Sequence, residues 1–364
     1  MALALYEPAL GYYARDIRQV GRGGDFFTSV SVGPLFGELL ALRFLREWRE
    51  AGEPDRWRIV ECGAHDGTLA ADVLGAIEQS EPRAFSSLEY AIPEPLPNLQ
   101  AAQRETLRRF GNAVRFCRDA AELTGEPLPG IAFGNELLDA LPFHILEWRG
   151  GRWRELCVGH GAGGFAWESA EIHEPPLLAA LAPLGGDFPE GYRTEVRTCF
   201  RAFLEPLAKC LVSGLMLWAD YGFARADYYH ASRTTGTLRT FRAHRAGEDP
   251  LACPGEADIT AHVDFTAVAE AAIGLGGVPV EFRPQGAWLT EHARDWLLAQ
   301  DGQPRASALR QFQTLTHPAQ LGRSFQILEI SWKPGAEPAA PERLARHLFG
   351  APQENSTAAP GLRS

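Results

Sequence analysis

The sequence predicts an α/β protein built on a doubly wound, mostly parallel sheet. Between residues 58 and 219, short apolar runs of strand length alternate with longer helical patterns, as in parallel sheets covered by helices on both faces. A glycine-containing turn joins the first apolar run to the first helical pattern. With 364 residues, 45% of them hydrophobic, the chain is long enough to bury a large core.

The individual elements follow from local patterns. Behind the strand at 58–61 and its glycine turn, Leu69, Val73 and Ile77 recur at helical spacing and predict a helix. The alternation of strands and helices then continues toward the carboxyl terminus. The predicted strands are 58–61, 87–94, 113–117, 131–134, 211–219 and 325–332, and the later predicted helices are 98–110, 195–210, 264–274 and 306–313.

Segments with other patterns extend this sheet. Residues 143–190 begin with alternating positions around Gly150 and Gly151, which predicts an inserted antiparallel β-meander. We predict a second insertion of helices and loops at about 223–315, within a domain spanning 57–333. A lid and a helix are expected over 1–56, and the Ala- and Pro-rich residues 334–364 are expected to form a disordered tail.

Composition excludes several classes of protein. The formal net charge is -11, so a phosphate backbone would be repelled on average and nucleic acid is not an expected partner. The six cysteines form no CxxC pair, which is typical of buried thiols in a reducing compartment. The chain has no signal-peptide pattern and no apolar run of membrane-spanning length. We therefore expect a cytoplasmic protein without membrane insertion.

The turn after the first strand, Glu61-x-Gly63-x-x-x-Gly67, is a candidate nucleotide site. Parallel sheets bind such ligands at the carboxyl ends of their strands, where a glycine lets backbone amides approach closely. Dinucleotide-binding turns have a glycine where this chain has His65, and Asp66 would place a negative charge beside a pyrophosphate. The alternative is that the glycines are ordinary turn residues and the acids only stabilise the start of a helix.

Two further acidic residues follow the next predicted strands. Glu94 closes the second strand and is predicted to accept hydrogen bonds from both hydroxyls of a ribose, and Asp119 follows the third strand near the expected adenine. S-adenosylmethionine lacks phosphate and carries a sulfonium and an ammonium group, so it suits a pocket rich in carboxylates. The sequence therefore predicts a Rossmann-like domain with S-adenosylmethionine as its cofactor.

An acidic cluster follows the fourth strand. Asn135 and Glu136 lie at its end, and Glu136 and Asp139 would share one face if 136–140 were helical. Two carboxylates beside an amide suit a cationic acceptor nitrogen, although the same residues would also serve as a helix cap and first turn. Asp220 follows the strand at 211–219 and is expected at the same edge of the sheet.

Other polar segments carry weaker signals. The glycine-flanked stretch 24–29, with Asp25 and Thr28, is predicted to fold over the cofactor as a lid, or else to form a simple turn and cap. Loop tyrosines more often cover a core edge than line an acceptor channel, and the histidines match no ligand spacing, so no metal site is predicted. These tyrosines and histidines are Tyr221, Tyr228, Tyr229, His230, His244 and His262.

Several short motifs follow one another along the chain. They are Asp25-Phe26-Phe27-Thr28-Ser29, Phe36-Gly37-Glu38, Glu61-x-Gly63, Asn135-Glu136-x-x-Asp139-Ala140-Leu141-Pro142, Asp220-Tyr221-Gly222, Gly236-Thr237-Leu238 and Asp258-Ile259-Thr260-x-His262-Val263-Asp264-Phe265. In this order they resemble the MidA family of S-adenosylmethionine-dependent methyltransferases. The resemblance covers nearly the whole chain, and the shared order is more specific than any single motif. At His65 the chain departs from the family, whose turn usually has a glycine there.

The resemblance implies methyl transfer to an arginine of a partner protein. Mitochondrial members of the family are complex I assembly factors that act as protein arginine methyltransferases, so a complex I subunit is the implied partner. A mitochondrial location is implied only for eukaryotic relatives, and a homodimer is compatible with the sequence. Because a guanidinium is always protonated, carboxylates must hold it, and Glu136 and Asp139 are the first candidates, followed by Asp220.

Two other functions fit parts of the sequence. A non-catalytic assembly or chaperone protein that retains the methyltransferase fold is favoured by His65 in the glycine turn. A nicotinamide-dependent oxidoreductase would use a related sheet, but the interrupted glycine pattern and the carboxylate pair argue against it.

Overall fold

The computed structural model describes residues 1–14, 28–161, 163–242, 245–298 and 305–350. The strands are β1 (Trp57–Cys62), β2 (Leu88–Pro93), β3 (Val114–Cys117), β4 (Leu128–Asn135), β5 (His144–Arg149), β6 (Arg152–Gly161), β7 (Gly164–Ala170), β8 (Arg193–Val196), β9 (Leu211–Phe223), β10 (Arg239–Arg242), β11 (Arg245–Gly247), β12 (Asp258–Thr260), β13 (Val263–Asp264), β14 (Val278–Pro284) and β15 (Phe325–Ser331).

The α-helices are α1 (Ala2–Tyr6), α2 (Ser29–Val32), α3 (Leu35–Glu50), α4 (Thr68–Ser80), α5 (Pro82–Ser86), α6 (Pro97–Thr106), α7 (Pro175–Leu181), α8 (Phe200–Lys209), α9 (Arg225–Tyr228), α10 (Phe265–Ile273), α11 (Gln285–His292), α12 (Arg294–Leu298), α13 (Ala306–Thr316), α14 (Leu321–Ser324) and α15 (Pro341–Leu344). Short 3-10 helices cover Tyr12–Ala14, Arg108–Ala113, Ala120–Leu123 and Ala182–Leu184, and a π-helix covers Ala345–Phe349. No helix in these ranges is both long and apolar enough to cross a membrane.

The central sheet has eight strands and is mostly parallel. Its order is β14-β15-β9-β4-β1-β2-β3, with β13 paired to β9. The neighbours from β9 to β3 run parallel, whereas β15 pairs antiparallel with both β14 and β9. The predicted α/β class with a mostly parallel sheet is confirmed.

Side chains of the central strands fill two separate cores. In β1, Trp57 and Ile59 join residues of α3, α4, α11 and α13 in one cluster, while Val60 and Cys62 join residues of α8 and α10 in the other. Every residue of β1 is buried, including its charged ones. Because helices cover both faces of the sheet, the carboxyl ends of the parallel strands are the edge at which a ligand can bind.

Two smaller antiparallel sheets flank this layer. The alternating pattern after residue 143 forms the sheet β7-β6-β5-β8, and the second small sheet has the order β11-β10-β12. Gly150 and Gly151, with φ of 59° and 73°, close the β5–β6 hairpin, and a two-residue turn of this kind requires positive φ at both positions.

Two predicted boundaries are wrong. The helix predicted at 195–210 begins at Phe200, because the preceding residues pair with β5 as strand β8. The insertion predicted at 223–315 is too long, since β13 and β14 within it belong to the central sheet and α10 packs against that sheet. Strand β14 lies at the sheet edge, where prolines and charged residues are tolerated, so its sequence lacked a strand pattern.

The disordered tail predicted for 334–364 is wrong for residues 341–349, which are helical. Leu344 and Leu348 are buried in the same core cluster as α8 and α10, and the hydroxyl of Thr266 donates a hydrogen bond to the carbonyl oxygen of Leu348 at 2.5 Å. These two leucines lie within an Ala-, Pro- and charge-rich stretch, so composition hid the short apolar contact. Residues 351–364 lie outside the described ranges.

We expect Leu348→Ala to lower the free energy of unfolding by about 2–4 kcal/mol, because it leaves a cavity at a fully buried position. Phe349→Ala is the matched control, since Phe349 is 44% exposed and should change stability by less than about 0.5 kcal/mol. Urea denaturation of both variants measures the difference. Equal stability of the two would mean that this segment does not pack on the core.

Candidate functional site

A cavity of about 990 Å³ opens at the carboxyl ends of β1, β2 and β4. Most of the predicted site residues line it: Thr28, Glu61, Gly63, Glu94, Asp119, Asn135, Glu136 and Asp139. Gly67 and Asp220 are not among its lining residues. Asp25 lies outside the described residues. The topology thus brings together side chains that are up to about a hundred positions apart in the sequence.

The glycine turn keeps its backbone shape despite His65. Gly63 and Gly67 have φ of 71° and 84°, and His65 also adopts a left-handed conformation with φ of 48°. The amide of Gln103 donates to the carbonyl oxygen of His65 at 2.9 Å and holds the strained residue in place. A side chain at Gly67 would press against α6 and Leu107, so this glycine is needed for packing rather than for the cavity wall.

Glu61 is the second-last residue of β1, and it is almost fully buried. The hydroxyl of Tyr90 donates to Glu61 Oε2 at 2.6 Å. Burial raises the pKa of Glu61 to about 8, and the hydrogen bond from Tyr90 acts in the opposite direction. A cationic ligand in the cavity would favour the ionised form of this group.

Glu94 and Asp119 follow β2 and β3 as predicted. Glu94 accepts hydrogen bonds from the backbone N–H of Leu96 at 2.9 Å and from the amide of Gln103 at 3.2 Å, and burial raises its pKa. Asp119 caps the 3-10 helix behind it by accepting from Ala121 N at 2.7 Å. The capping alternative therefore describes Asp119 correctly, and the same residue also lines the cavity.

Three polar atoms at the cavity are buried and unpartnered within the described part of the chain, Asn135 Oδ1, His65 Nε2 and His262 Nδ1. All three residues line the cavity wall. Buried polar groups are normally hydrogen-bonded, so three such atoms at one cavity favour a polar ligand there. An adenosyl amino acid supplies donors and acceptors of this kind.

The segment that follows β4, residues 136–143, is called the β4–β5 loop below. It is not helical, so the helical arrangement considered for Glu136 and Asp139 is wrong. Glu136 has φ of 53°, which breaks the helix at its first residue. Its Oε1 accepts from Asn135 Nδ2 at 2.9 Å and from the backbone N–H of Ser29 at 3.2 Å. Thr28 caps α2 beside it, so the cap that was the alternative to a lid is present, whereas residues 24–27 lie outside the described residues.

The carboxylate of Asp220 holds the backbone of the β4–β5 loop. Its Oδ2 accepts from three successive backbone N–H groups, those of Leu137, Leu138 and Asp139, at 3.0, 2.8 and 3.3 Å. Its Oδ1 accepts from Tyr221 N at 2.8 Å, and the residue is fully buried. Asp220 therefore positions the loop, whereas Asp139 itself lines the cavity.

Several residues that line the cavity could not be predicted from sequence patterns. Tyr6 donates to the carbonyl oxygen of Ala140 at 2.7 Å, and Tyr13 donates to Asp258 Oδ1 at 3.0 Å. The two tyrosine rings stack with centroids 5.5 Å apart. Tyr6, Tyr13 and Asp258 lie in segments whose sequence shows no strand or helix periodicity. Asp258 belongs to a motif that indicates the family, but the motif does not indicate a role for this residue.

The loop tyrosines and histidines have different surroundings. Tyr221 and His262 line the cavity, whereas Tyr228 is buried and donates to Glu195 at 3.3 Å. His230 is exposed, and His244 lies outside the described residues. One group of described side chains has metal-ligating atoms within 4.8 Å of one another: Glu281, His292 and Glu329. Its Glu329 oxygens already accept bonds from Arg43 and Trp288, and none of the three lines the cavity.

Acidic side chains dominate the charge of the cavity wall. The acids are Glu61, Asp66, Asp72, Glu94, Asp119, Glu136, Asp139 and Asp258, and the arginines are Arg118 and Arg239. Such a wall attracts cations and repels phosphate, which favours a sulfonium-bearing cofactor over a dinucleotide.

The family of this chain follows from its similarity to known proteins. Residues 39–281 match the family described as "Putative S-adenosyl-L-methionine-dependent methyltransferase". The mitochondrial protein arginine methyltransferase NDUFAF7 homolog of Drosophila melanogaster is 31% identical over 91% of this chain and 80% of its own length. The chain belongs to the MidA family of S-adenosylmethionine-dependent methyltransferases.

Relatives and solved structures agree with this assignment. The mitochondrial NDUFAF7 protein arginine methyltransferase of Danio rerio is 28% identical over 91% of this chain and 82% of its own length. A crystal structure from Burkholderia thailandensis, bound to S-adenosyl-homocysteine, is 32% identical and superposes with a TM-score of 0.81 over 94% of this chain and 88% of that chain. The predicted cofactor, S-adenosylmethionine, is therefore confirmed, and the protein is a methyltransferase.

We expect Gly63→Val to weaken binding of S-adenosylhomocysteine to this methyltransferase at least about tenfold, or about 1.4 kcal/mol. A Cβ atom at Gly63 would lie 2.9 Å from Leu137 Cδ1, and φ of +71° disfavours any side chain. Gly52→Val is the control, because Gly52 has φ of +84° but no described atom within 4 Å of its added Cβ. Calorimetry should show loss of affinity for the first variant only, and equal affinities would remove Gly63 from the site.

Proposed function

We propose that this methyltransferase modifies an arginine side chain of a partner protein. The observation that carries the proposal is the pair of carboxylates, Glu136 and Asp139, on one loop of an acidic cavity that also contains the glycine turn. A guanidinium remains protonated in water, so it needs anionic partners to lose its hydration without penalty. Relatives named as protein arginine methyltransferases in flies, fish and mammals support the same acceptor.

The chemistry requires both a clamp and a proton acceptor. The cofactor supplies an electrophilic methyl group on its sulfonium. Methylation leaves a cationic guanidinium, so each transfer releases one proton from the attacking nitrogen. A carboxylate of the β4–β5 loop can accept that proton while the second one keeps the remaining nitrogens in place. In this proposal Asp220 acts only through the loop that it holds.

We expect kcat/KM to rise with pH between about 6 and 8. Burial raises the pKa of Glu136 to about 8 and that of Asp139 to about 6, so both carboxyls are protonated in part of this range before the acceptor binds. Their ionised forms bind the guanidinium, and activity is therefore lost as pH falls through these values. Initial rates with a fixed acceptor measure the profile, and a rate that is constant from pH 6 to 8 would contradict it.

We expect Glu136→Gln to reduce methyl-arginine formation by about 10²-fold or more, because it keeps the shape of the side chain but removes the charge. Its affinity for S-adenosylhomocysteine should change less than about threefold. Glu105→Gln is the matched control, since Glu105 is 74% exposed and does not line the cavity.

The assay uses labelled S-adenosylmethionine and total protein from a host strain that lacks this gene, so that acceptor sites are unmethylated. Mass spectrometry then identifies the labelled residue and its protein. Labelled arginine that disappears with Glu136→Gln supports the proposal. Label on another residue type, or unchanged labelling in the variant, overturns it.

We also propose a complex I subunit as the acceptor, which the family resemblance implies, and a homodimer, with which the sequence is compatible. The same mass spectrometry would identify the acceptor. A cytoplasmic location is likewise proposed, supported by the absence of disulfides among the six cysteines, all of which lie in described residues.

A further inference from the structure

Arg197, directly after β8, is a buried cation beside the β4–β5 loop. It is 7% exposed, and its guanidinium donates four hydrogen bonds to backbone carbonyl oxygens. Two of these carbonyls belong to the β4–β5 loop, and two belong to the connection between β12 and β13. The acceptors are Asp139 O at 2.5 Å, Leu141 O at 3.0 Å, Ala261 O at 2.8 Å and His262 O at 2.7 Å.

These bonds join two segments of the cavity wall. Asp139, Leu141, Ala261 and His262 all line it, and Ala261 N also donates to Asp139 O at 3.2 Å. The planar fork of an arginine is suited to several carbonyls at fixed angles, which a lysine cannot satisfy together. Arg197 is therefore the common anchor of both segments.

The charge of this guanidinium has no hydrogen-bonded carboxylate among the described residues. Carbonyl oxygens solvate it but do not neutralise it, so its field acts on the nearby acids. Burial raises the pKa of Asp139, and the charge of Arg197 opposes that rise. The other groups facing Asp139 are acids and tyrosines: Glu136 from its own loop, Asp220 and Tyr221 from β9, Tyr6 from α1, and Tyr13 beside Asp258.

We propose that Arg197 is a positioning residue for methyl transfer, whose fixed positive charge keeps the Asp139 carboxylate ionised while its fork holds the loop that carries it. Without a cation, neighbouring buried carboxylates cannot all ionise, and the site would meet the acceptor in a protonated, neutral form. This role rests on the proposed function, because an ionised Asp139 matters for a cationic acceptor. Arg197 adds a positive charge to the site without touching the acceptor.

The test uses two cofactor analogues and needs no methyl acceptor. Sinefungin carries an ammonium group where the transferred methyl would lie, and S-adenosylhomocysteine carries none, so the ratio of their affinities reports the negative charge facing that position. Calorimetry from pH 5 to 9 gives the pH at which the preference for sinefungin is lost. Effects common to both ligands, such as titration elsewhere in the cavity, cancel in the ratio.

We expect Arg197→Gln to move the loss of sinefungin preference upward by about one pH unit or more, because Asp139 then binds a proton more tightly. Arg197→Lys keeps the charge and should restore the wild-type midpoint, although its thermal stability falls with the loss of the fork. Arg58→Gln is the control for removing a buried arginine. Arg58 is fully buried and bonds Glu89 and three carbonyls, but none of these carbonyls belongs to the β4–β5 loop or to the connection between β12 and β13, so its midpoint should not move.

Asp139→Asn keeps the test decisive if Arg197→Gln does not fold. This variant should remove the part of the loss that Asp139 contributes near pH 6 and leave the part that Glu136 contributes near pH 8. An unmoved midpoint in Arg197→Gln, a shift in Arg58→Gln of the same size, or an unchanged profile in Asp139→Asn would each overturn the proposal. None of these outcomes depends on the identity of the acceptor, so failure here is distinct from failure to find methyl-arginine.

Discussion

The hydrogen bonds from the β4–β5 loop to Asp220 fix the geometry on which the rest of the site depends. One carboxylate oxygen accepts from three successive backbone N–H groups, and this arrangement turns the chain sharply after β4. The turn forces Glu136 into a left-handed conformation and brings its carboxyl group to the cavity. Such a strained conformation persists only where several surrounding hydrogen bonds hold it. Asp220, Ser29 and Asn135 provide these hydrogen bonds here. Hydrogen bonds within the protein therefore hold the loop in this conformation.

The same arrangement gathers buried acids at a high electrostatic cost. Glu61, Glu136 and Asp139 each have a pKa raised by burial, and they lie at the ends of neighbouring parallel strands. Two features offset the cost: backbone N–H groups that solvate Asp220, and the guanidinium of Arg197 on the far side of the loop. Ligands that bring positive charge offset it further. A site of this kind prefers a cationic cofactor and a cationic acceptor to neutral or phosphorylated compounds.

Local patterns in the sequence were sufficient for six of the eight strands of the central sheet and for the positions of most residues on the cofactor side of the cavity. Strand ends locate residues such as Glu61 and Glu94 because parallel strands meet at one edge, and this follows from topology alone. The roles of Asp220 and Arg197 could not be predicted in the same way. Both act on backbone atoms of a loop that is distant in sequence, and no periodicity encodes such contacts.

Features that depend on an unusual backbone conformation could also not be predicted from the sequence. His65 argued against a cofactor turn when glycine was assumed to be necessary, yet it adopts positive φ with its carbonyl held by Gln103. The helix expected for 136–140 fails for the same reason, since positive φ at Glu136 depends on Asp220 rather than on local propensity. Edge strand β14 and the buried Leu348 were missed because their neighbours are proline- or charge-rich.

The most direct test of this account is a crystal structure of the protein with S-adenosylhomocysteine. We expect the ribose hydroxyls at Glu94, the homocysteine segment over Gly63, and the sulfur atom facing the space between Glu136 and Asp139. A ligand whose sulfur points away from both carboxylates, or one bound outside this cavity, would contradict the claim that cofactor and acceptor meet at the β4–β5 loop.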